Sequence, residues 1–351
     1  MRSLHIITST ARRGAETFAV ELAAALSSMG EDAAVVALAR GTDAGFDLPW
    51  LGTSRRSPPT LAKLRRYARS ADLVVAHGSS TLEACAMALA GSRAPFVYRS
   101  IGDPSYWVDA GRKRRSLGFL HRRAARHVAL WPGAAEQLVQ LYGVARERID
   151  VIPNAVGGER WPVGGIQERS AAKIRFGVDM GQPCLAFVGA LSPEKDVDAV
   201  LAVARVMPDA CVLIAGDGTE RARLELSAAA SCPGRVRFLG SIADPRPVYL
   251  AADLLLLPSL SEGMPGVVIE AGLVGTASVV SAVGAVPEMI DHGLTGWLTR
   301  PNDHAEVITT VQDALPHAAI RGLAAADDFR SRFTMPKVAN RWLQTLDAAR
   351  G

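Results

Sequence analysis

No stretch of about 18 or more apolar residues occurs in the chain, so no membrane-spanning helix is expected and any bilayer contact would be peripheral. Cysteine is scarce. The four present, Cys85, Cys184, Cys211 and Cys232, lie far apart and mostly within apolar stretches, without the spacing of a metal site. Buried thiols in a reducing cytoplasm are the expected state. Aromatic residues make up only 6% of the chain, and no stacking aromatics accompany its basic clusters, which argues against nucleic-acid binding. A large excess of one charge is also missing. The formal net charge of +4 over 351 residues favours anionic ligands or surfaces only weakly. No short-period repeat or low-complexity tract is visible. The opening Met1-Arg2-Ser3-Leu4-His5-Ile6-Ile7 is too short and wrongly flanked for a signal peptide and reads as a first strand.

What is present is a large aliphatic core and a regular alternation of strand and helix patterns. Hydrophobic residues form 49% of the chain, and the length favours two domains. Strands are expected near 4–8, 33–38, 72–76, 95–99, 127–131 and 149–152. A second series is expected near 184–189, 211–215, 235–239, 254–258, 277–281 and 296–299. Between the series lies the Gly/Pro-rich run Val156-Gly157-Gly158-Glu159-Arg160-Trp161-Pro162-Val163-Gly164-Gly165, the best linker candidate. The fold class is therefore α/β, with two Rossmann-like parallel-sheet domains facing each other across a ligand cleft. Residues 1–165 form the first domain and 166–332 the second. The amphipathic tail at about 333–351, carrying Trp342 and Leu343, is expected to pack back on the first.

The most informative segment is Ser261-Glu262-Gly263-Met264-Pro265-Gly266-Val267-Val268-Ile269-Glu270. Ionised carboxylates only accept hydrogen bonds, so a fixed pair suits a ligand rich in vicinal hydroxyls. Between them, amides near Gly266 and Val267 would open a helix, where unpaired N–H groups and the helix dipole favour a phosphate. A solvated loop charge and a helix-surface charge are the competing account. The flanks decide between them. Ala252–Ser259 reads as a buried parallel strand and Gly275–Ser281 as the next, and loops at the carboxyl ends of such strands are where α/β proteins bind ligands.

With these residues the chain resembles the retaining glycosyltransferases of family 4, which have the GT-B architecture. The resemblance also runs through Phe187–Lys195, Ile214–Gly218, Phe238–Gly240, Glu270–Gly272, Val286–Glu288 and Gly293–Leu298. It is looser at Gly14–Glu16, His77–Gly78 and Val151–Asn154. It implies transfer of a sugar from a UDP- or GDP-sugar to a hydroxyl of a glycan, glycolipid or small molecule, with no metal or other cofactor and with a cytoplasmic location. Lys195 resembles the family's diphosphate-binding lysine, Glu270 the ribose-binding glutamate and Glu262 the one facing the donor sugar. Gly189 and Leu239 fall on the donor-side strand ends, Leu239 beside the base. His77 resembles the histidine touching the donor sugar, although a lone histidine at a strand end is more often structural. Gly14 either lets backbone approach the donor or simply makes a tight strand-to-helix turn. The implied chemistry is front-face attack, with the leaving phosphate oxygen taking the acceptor proton.

Departures from the pattern are equally specific. Ala190 stands where the family usually has arginine, and Arg13 precedes Gly14 where a second glycine is usual. Arg12 or Arg13 would then substitute as the phosphate-binding cation. The acceptor is expected at the first domain, with Arg99, Tyr106 and Trp107 as candidates; Asp103-Pro104 reads as an N-cap with proline at N1. The basic segment 112–126 reads either as a solvated helix face or as a peripheral contact with anionic membrane. Asp196-Val197-Asp198 has the spacing of a metal-binding Asp-x-Asp but suits a helix start. A nucleotide-sugar epimerase or phosphorylase of the same architecture, or a degenerate transferase that only binds, are the alternatives.

Overall fold

In a computed structural model of the chain, residues 1–41, 45–92, 94–103, 105 and 112–350 are described, with backbone only for 112–116. The chain divides into two compact units, Met1–Val156 with Met335–Gly351, and Gly157–Thr334. In the first, the strands are β1 (Arg2–Ser9), β2 (Asp32–Ala39), β3 (Trp50–Gly52), β4 (Leu73–His77), β5 (Phe96–Arg99), β6 (Arg126–Ala129) and β7 (Ile149–Val151). In the second they are β8 (Cys184–Val188), β9 (Cys211–Ala215), β10 (Val236–Gly240), β11 (Leu254–Leu257), β12 (Ala277–Ser281) and β13 (Trp297–Thr299). All neighbouring strands pair in parallel, in the orders β3-β2-β1-β4-β5-β6-β7 and β10-β9-β8-β11-β12-β13.

Twelve of these strands fall where apolar runs place them, and β3 does not. It is three residues long and follows Pro49, too short for any periodicity to register. Burial on both faces explains why strands inside the sheets read as continuous apolar runs: every residue of Leu254–Leu257 is at most 1% exposed. The strand order reverses between β1 and β4 in one sheet and between β8 and β11 in the other. At such switch points the following loops diverge to opposite faces and leave a crevice at the carboxyl ends of the strands.

The division between units falls at Val156 and not at 165. The Gly/Pro-rich run is no free linker. Residues Gly158–Arg160 form a 3-10 turn, Trp161 is 2% exposed against the Tyr249 ring, and the Gly164 amide donates to Val274 at 3.1 Å. Glycine and proline forecast irregular backbone, and the buried Trp161 indole anchors that backbone in the second unit. At the other end the helix Met335–Arg350 lies in the first unit, where Trp342 packs with Phe18, Leu22 and Leu26.

Two buried histidine pairs mark the first unit. His5 Nδ1 lies 3.1 Å from His77 Nε2, and His121 Nδ1 lies 3.1 Å from His127 Nε2. Burial pushes His5 and His121 down to about 4 and His127, also facing His121, down to about 3. The native imidazoles therefore stay neutral at a pH where those of an unfolded chain, near 6.5, take up protons. Their contribution to stability is complete above about pH 6.5 and is lost as pH falls toward about 4. Each histidine is expected to remove about 1.4 kcal/mol per pH unit across that window. Urea unfolding at pH 7, 6 and 5 reads this directly, and a flat profile would refute it.

Candidate functional site

The second sheet's switch point assembles the site. β8 is followed by a loop through Gly189, Ala190 and Leu191 into the 3-10 turn Pro193–Lys195, and β11 by the loop that carries Glu262. Lys195 Nζ meets Glu262 Oε1 at 2.6 Å, with the two side chains 20% and 9% exposed. Two residues distant in sequence are thus one ion pair. Backbone contacts fix both loops. The Leu260 amide donates to Glu194 O at 2.8 Å and the Ala285 amide to Gly263 O at 2.8 Å. Gly284, at φ 57°, approaches the Glu262 carbonyl so closely that a Cβ would collide with it. Only glycine fits that contact.

After Pro265 the helix Gly266–Leu273 begins. Gly266 and Val267 occupy its first turn, where amides have no intrahelical acceptor and the dipole is positive. Glu270 stands one turn in, and its Oε2 accepts from Tyr249 Oη at 2.7 Å. Tyr249 is fully buried, and its hydroxyl is held well above its ordinary range by burial and by the Glu270 charge, so it remains a donor. The Thr276 hydroxyl in turn donates to the Tyr249 carbonyl at 2.8 Å.

Gly189 follows β8 and Leu239 lies near the end of β10, with β9 between the two strands. The Gly189 amide donates to Ala215 O at 3.0 Å. In β10, an edge strand, pairing with β9 shifts between Phe238 and Gly240, so Leu239 is the extra residue of a bulge. A bulge re-aims backbone groups away from the ladder. Ala190 is exposed and supplies no cation. The Asp-x-Asp carboxylates face different partners: Asp196 pairs with His304 at 3.0 Å and Asp198 with Arg223 at 2.6 Å. Asp196 precedes the helix Val197–Val206 in the left-handed region, φ 45°. These acids belong to the helix start.

In the first unit the expected residues scatter. Gly14 opens the helix Gly14–Ser28, and among the described residues a Cβ there would meet nothing within 4 Å. Its φ is not left-handed, so a tight turn does not require glycine here. Gly14→Ala is therefore expected to leave thermal stability unchanged or slightly raised. If a ligand approaches the backbone there, donor affinity measured by calorimetry falls in the same variant, and unchanged affinity refutes that approach. Arg13 is the exposed N-cap of this helix, while the Arg12 guanidinium lies 4.6 Å from the Phe46 ring centre.

His77 and Arg99 are not at a surface. His77 is 1% exposed, stacked on His5 and Trp342, and burial holds it well below its usual range. β4 lies inside the sheet, between β1 and β5, so the last side chain of the strand still points into a covered face. Arg99, on β5, is also 1% exposed. Its guanidinium lies 3.7 Å from the Phe18 ring centre and donates to Asn154 Oδ1 at 3.0 Å, while burial lowers it to about 9. Both are core groups, not the rim residues that their strand-end positions suggest. Tyr106 and Trp107 lie outside the described residues. Asp103 caps no described helix; it accepts from the Ser105 amide and hydroxyl at 2.8 and 2.7 Å. Of the basic segment's described side chains, Arg122 and Arg123 are exposed, His121 is buried and Arg126 is paired with Asp150 at 2.8 Å.

Two supporting residues escaped the motif reading. Ser259 Oγ donates to Glu262 Oε1 at 2.7 Å, and Tyr249 holds Glu270 as described. Ser259 is legible only as the turn residue after Pro258. Nothing in the pattern around Val248–Ala251 singles out a tyrosine whose partner is 21 residues on.

Two doubly wound parallel-sheet units, the second with a cation, a helix N-terminus and two carboxylates at its switch point, define a GT-B fold. Residues 12–160 match the family model described as Glycosyltransferase Family 4, and residues 182–317 that described as Glycosyl transferases group 1. The chain belongs to this glycosyltransferase family. Among curated proteins, the D-inositol 3-phosphate glycosyltransferase of Nocardia farcinica is 34% identical over 230 residues, 59% of this chain and 49% of that protein. That of Mycolicibacterium smegmatis is 32% identical over 222 residues, 61% and 49%. The matches thus span about half the length of these relatives. Among solved structures, Anabaena Alr3699/HepE in complex with UDP-glucose superposes with a TM-score of 0.88 at 23% identity, covering 99% of this chain and 100% of that one. WaaG, a glycosyltransferase involved in lipopolysaccharide biosynthesis, gives 0.76 at 16% identity, with 98% and 99% covered. At these identities the structural likeness speaks for the fold.

Proposed function

We propose that the chain transfers a sugar from a nucleoside-diphosphate sugar to a hydroxyl acceptor, with retention of anomeric configuration and without a metal ion or other cofactor. The observation that carries this reading is the Lys195–Glu262 pair at 2.6 Å beside the helix that opens at Gly266 and holds Glu270 one turn in. The names of the relatives support it: curated matches are D-inositol 3-phosphate glycosyltransferases, and the HepE structure holds UDP-glucose.

In this reading the diphosphate lies against the first-turn amides at Gly266 and Val267, and Lys195 neutralises charge that grows on the leaving phosphate. Glu270, held by Tyr249, accepts from ribose hydroxyls, and Glu262 accepts from hydroxyls of the donor sugar. Leu239 and Gly189 offer backbone to the nucleotide. The acceptor hydroxyl attacks from the face that the leaving group vacates. The bond from the anomeric carbon to phosphate oxygen breaks, the bond to acceptor oxygen forms, and the proton passes to the departing phosphate oxygen. Neither glutamate is asked to be a nucleophile, and the protein contributes orientation and charge stabilisation. The acceptor is a glycan, glycolipid or small molecule. Arg122 and Arg123 supply a peripheral contact with anionic lipid where the acceptor is lipid-linked.

Calorimetric titration with UDP, GDP, ADP and their sugar conjugates, with and without EDTA, tests the donor half of this reading. One nucleotide sugar is expected to bind with no effect of EDTA. Binding that EDTA abolishes would overturn metal independence, and no binding at all would overturn the donor site. Proton NMR of the anomeric centre in the product tests retention.

A further inference from the structure

We propose that the Lys195–Glu262 ion pair makes the site prefer a sugar nucleotide over the bare nucleoside diphosphate, with Glu262 as the discriminating residue. The inference rests on the donor reading given above. Three observations carry it. First, the pair is complete within the chain, Nζ to Oε1 at 2.6 Å, so the cation meant for the diphosphate already has a counterion. Second, the pair is fixed. The Leu260 amide ties its loop to Glu194 at 2.8 Å, the Ala285 amide ties Gly263 at 2.8 Å, and Gly284 packs against the Glu262 carbonyl.

Third, both contacts fall on one oxygen. Ser259 Oγ donates to Oε1 at 2.7 Å, as Lys195 does, and among the described residues Oε2 accepts no hydrogen bond and is not a buried orphan. The carboxylate is thus anchored by one oxygen and presents the other.

The consequence follows from charge. An ammonium already neutralised by a fixed carboxylate attracts an incoming diphosphate less than a free one, and the carboxylate itself repels the phosphates. A bare nucleoside diphosphate bears that penalty with nothing in return. A donor with its sugar attached sets a hydroxyl against Oε2 and recovers a charge-assisted hydrogen bond. Discrimination is therefore partly a repulsive device, and it weakens the hold on the nucleotide product once the sugar has gone.

The test titrates UDP, GDP and ADP, and their glucose conjugates, into the full chain and its variants. Glu262→Gln keeps the shape and an acceptor for Ser259 while removing the charge. It is expected to bind the cognate bare diphosphate about tenfold more tightly, the size of one freed charge-assisted hydrogen bond, with the sugar conjugate unchanged or weaker. Glu262→Ala gives the same sign for the bare diphosphate. The gain is smaller when Glu262→Gln is made in a Lys195→Ala background, where only the direct repulsion is relieved. Unchanged or weaker diphosphate binding in Glu262→Gln overturns the proposal, as does a gain of undiminished size in the Lys195→Ala background. Glu270→Ala is the separate control. Loss of binding there supports the donor site, whereas full retention, or no nucleotide binding by the unaltered chain, overturns the donor reading itself and the inference with it.

Discussion

Lys195→Ala is expected to lower turnover by about 10²–10³-fold, the usual cost of removing one preorganised group that meets developing charge. The lysine sits at the end of a 3-10 turn whose position is fixed from β11's loop, so no reorganisation is needed as the phosphate departs. With position 190 an exposed alanine, no guanidinium follows Gly189 to share the task. The loss should fall more on kcat than on KM, because charge on the leaving oxygen is larger in the transition state than in bound donor. Lys195→Arg is not expected to restore it, since a planar fork cannot take the place of a compact ammonium 2.6 Å from Glu262. Steady-state kinetics with the cognate donor give the answer. Turnover within a few fold of the unaltered chain would mean that Lys195 is only a structural partner of Glu262.

Trp342→Ala is expected to destabilise the first unit by about 3–5 kcal/mol, the range for deleting a large buried aromatic side chain. Trp342 is fully buried, with its ring centre 6.2 Å from Phe18 and 6.1 Å from His77. Its helix, Met335–Arg350, is held to the unit by this contact and by Val338, Ala339 and Leu346. Among the described residues the indole nitrogen is buried without an acceptor, so its removal returns a little of what the cavity costs. In a unit of this size the change corresponds to a fall of roughly 10 °C in Tm. Calorimetry should resolve it as a shift in the first unit's transition, with the second little affected. A shift below about 2 °C would show that the helix is not integral to that unit.

Much of this was open to reading in the sequence, for identifiable reasons. Strands buried on both faces leave an unbroken apolar run, so Leu254–Leu257 and Cys211–Ala215 declare themselves. The glutamates at 262 and 270 with Gly266 between them are legible because the chemistry of the site lies within ten consecutive residues. Lys195 emerged from motif order. Its meeting with Glu262 at 2.6 Å did not, because sequence separation of 67 residues says nothing about which loops a switch point brings together.

What the sequence determined by itself, then, is the alternation of elements, the parallel sheets that it forces, and the local motifs that carry the candidate site residues. Only the tertiary structure decided burial. It put His77 and Arg99 in the core because the strands that end in them lie inside a covered sheet. It drew the Trp161 segment into the second unit. It also supplied Tyr249 and Ser259 as holders of the two carboxylates. Local patterns record what a residue prefers, but partner, exposure and protonation depend on groups that arrive from elsewhere in the chain. Only packing brings those together.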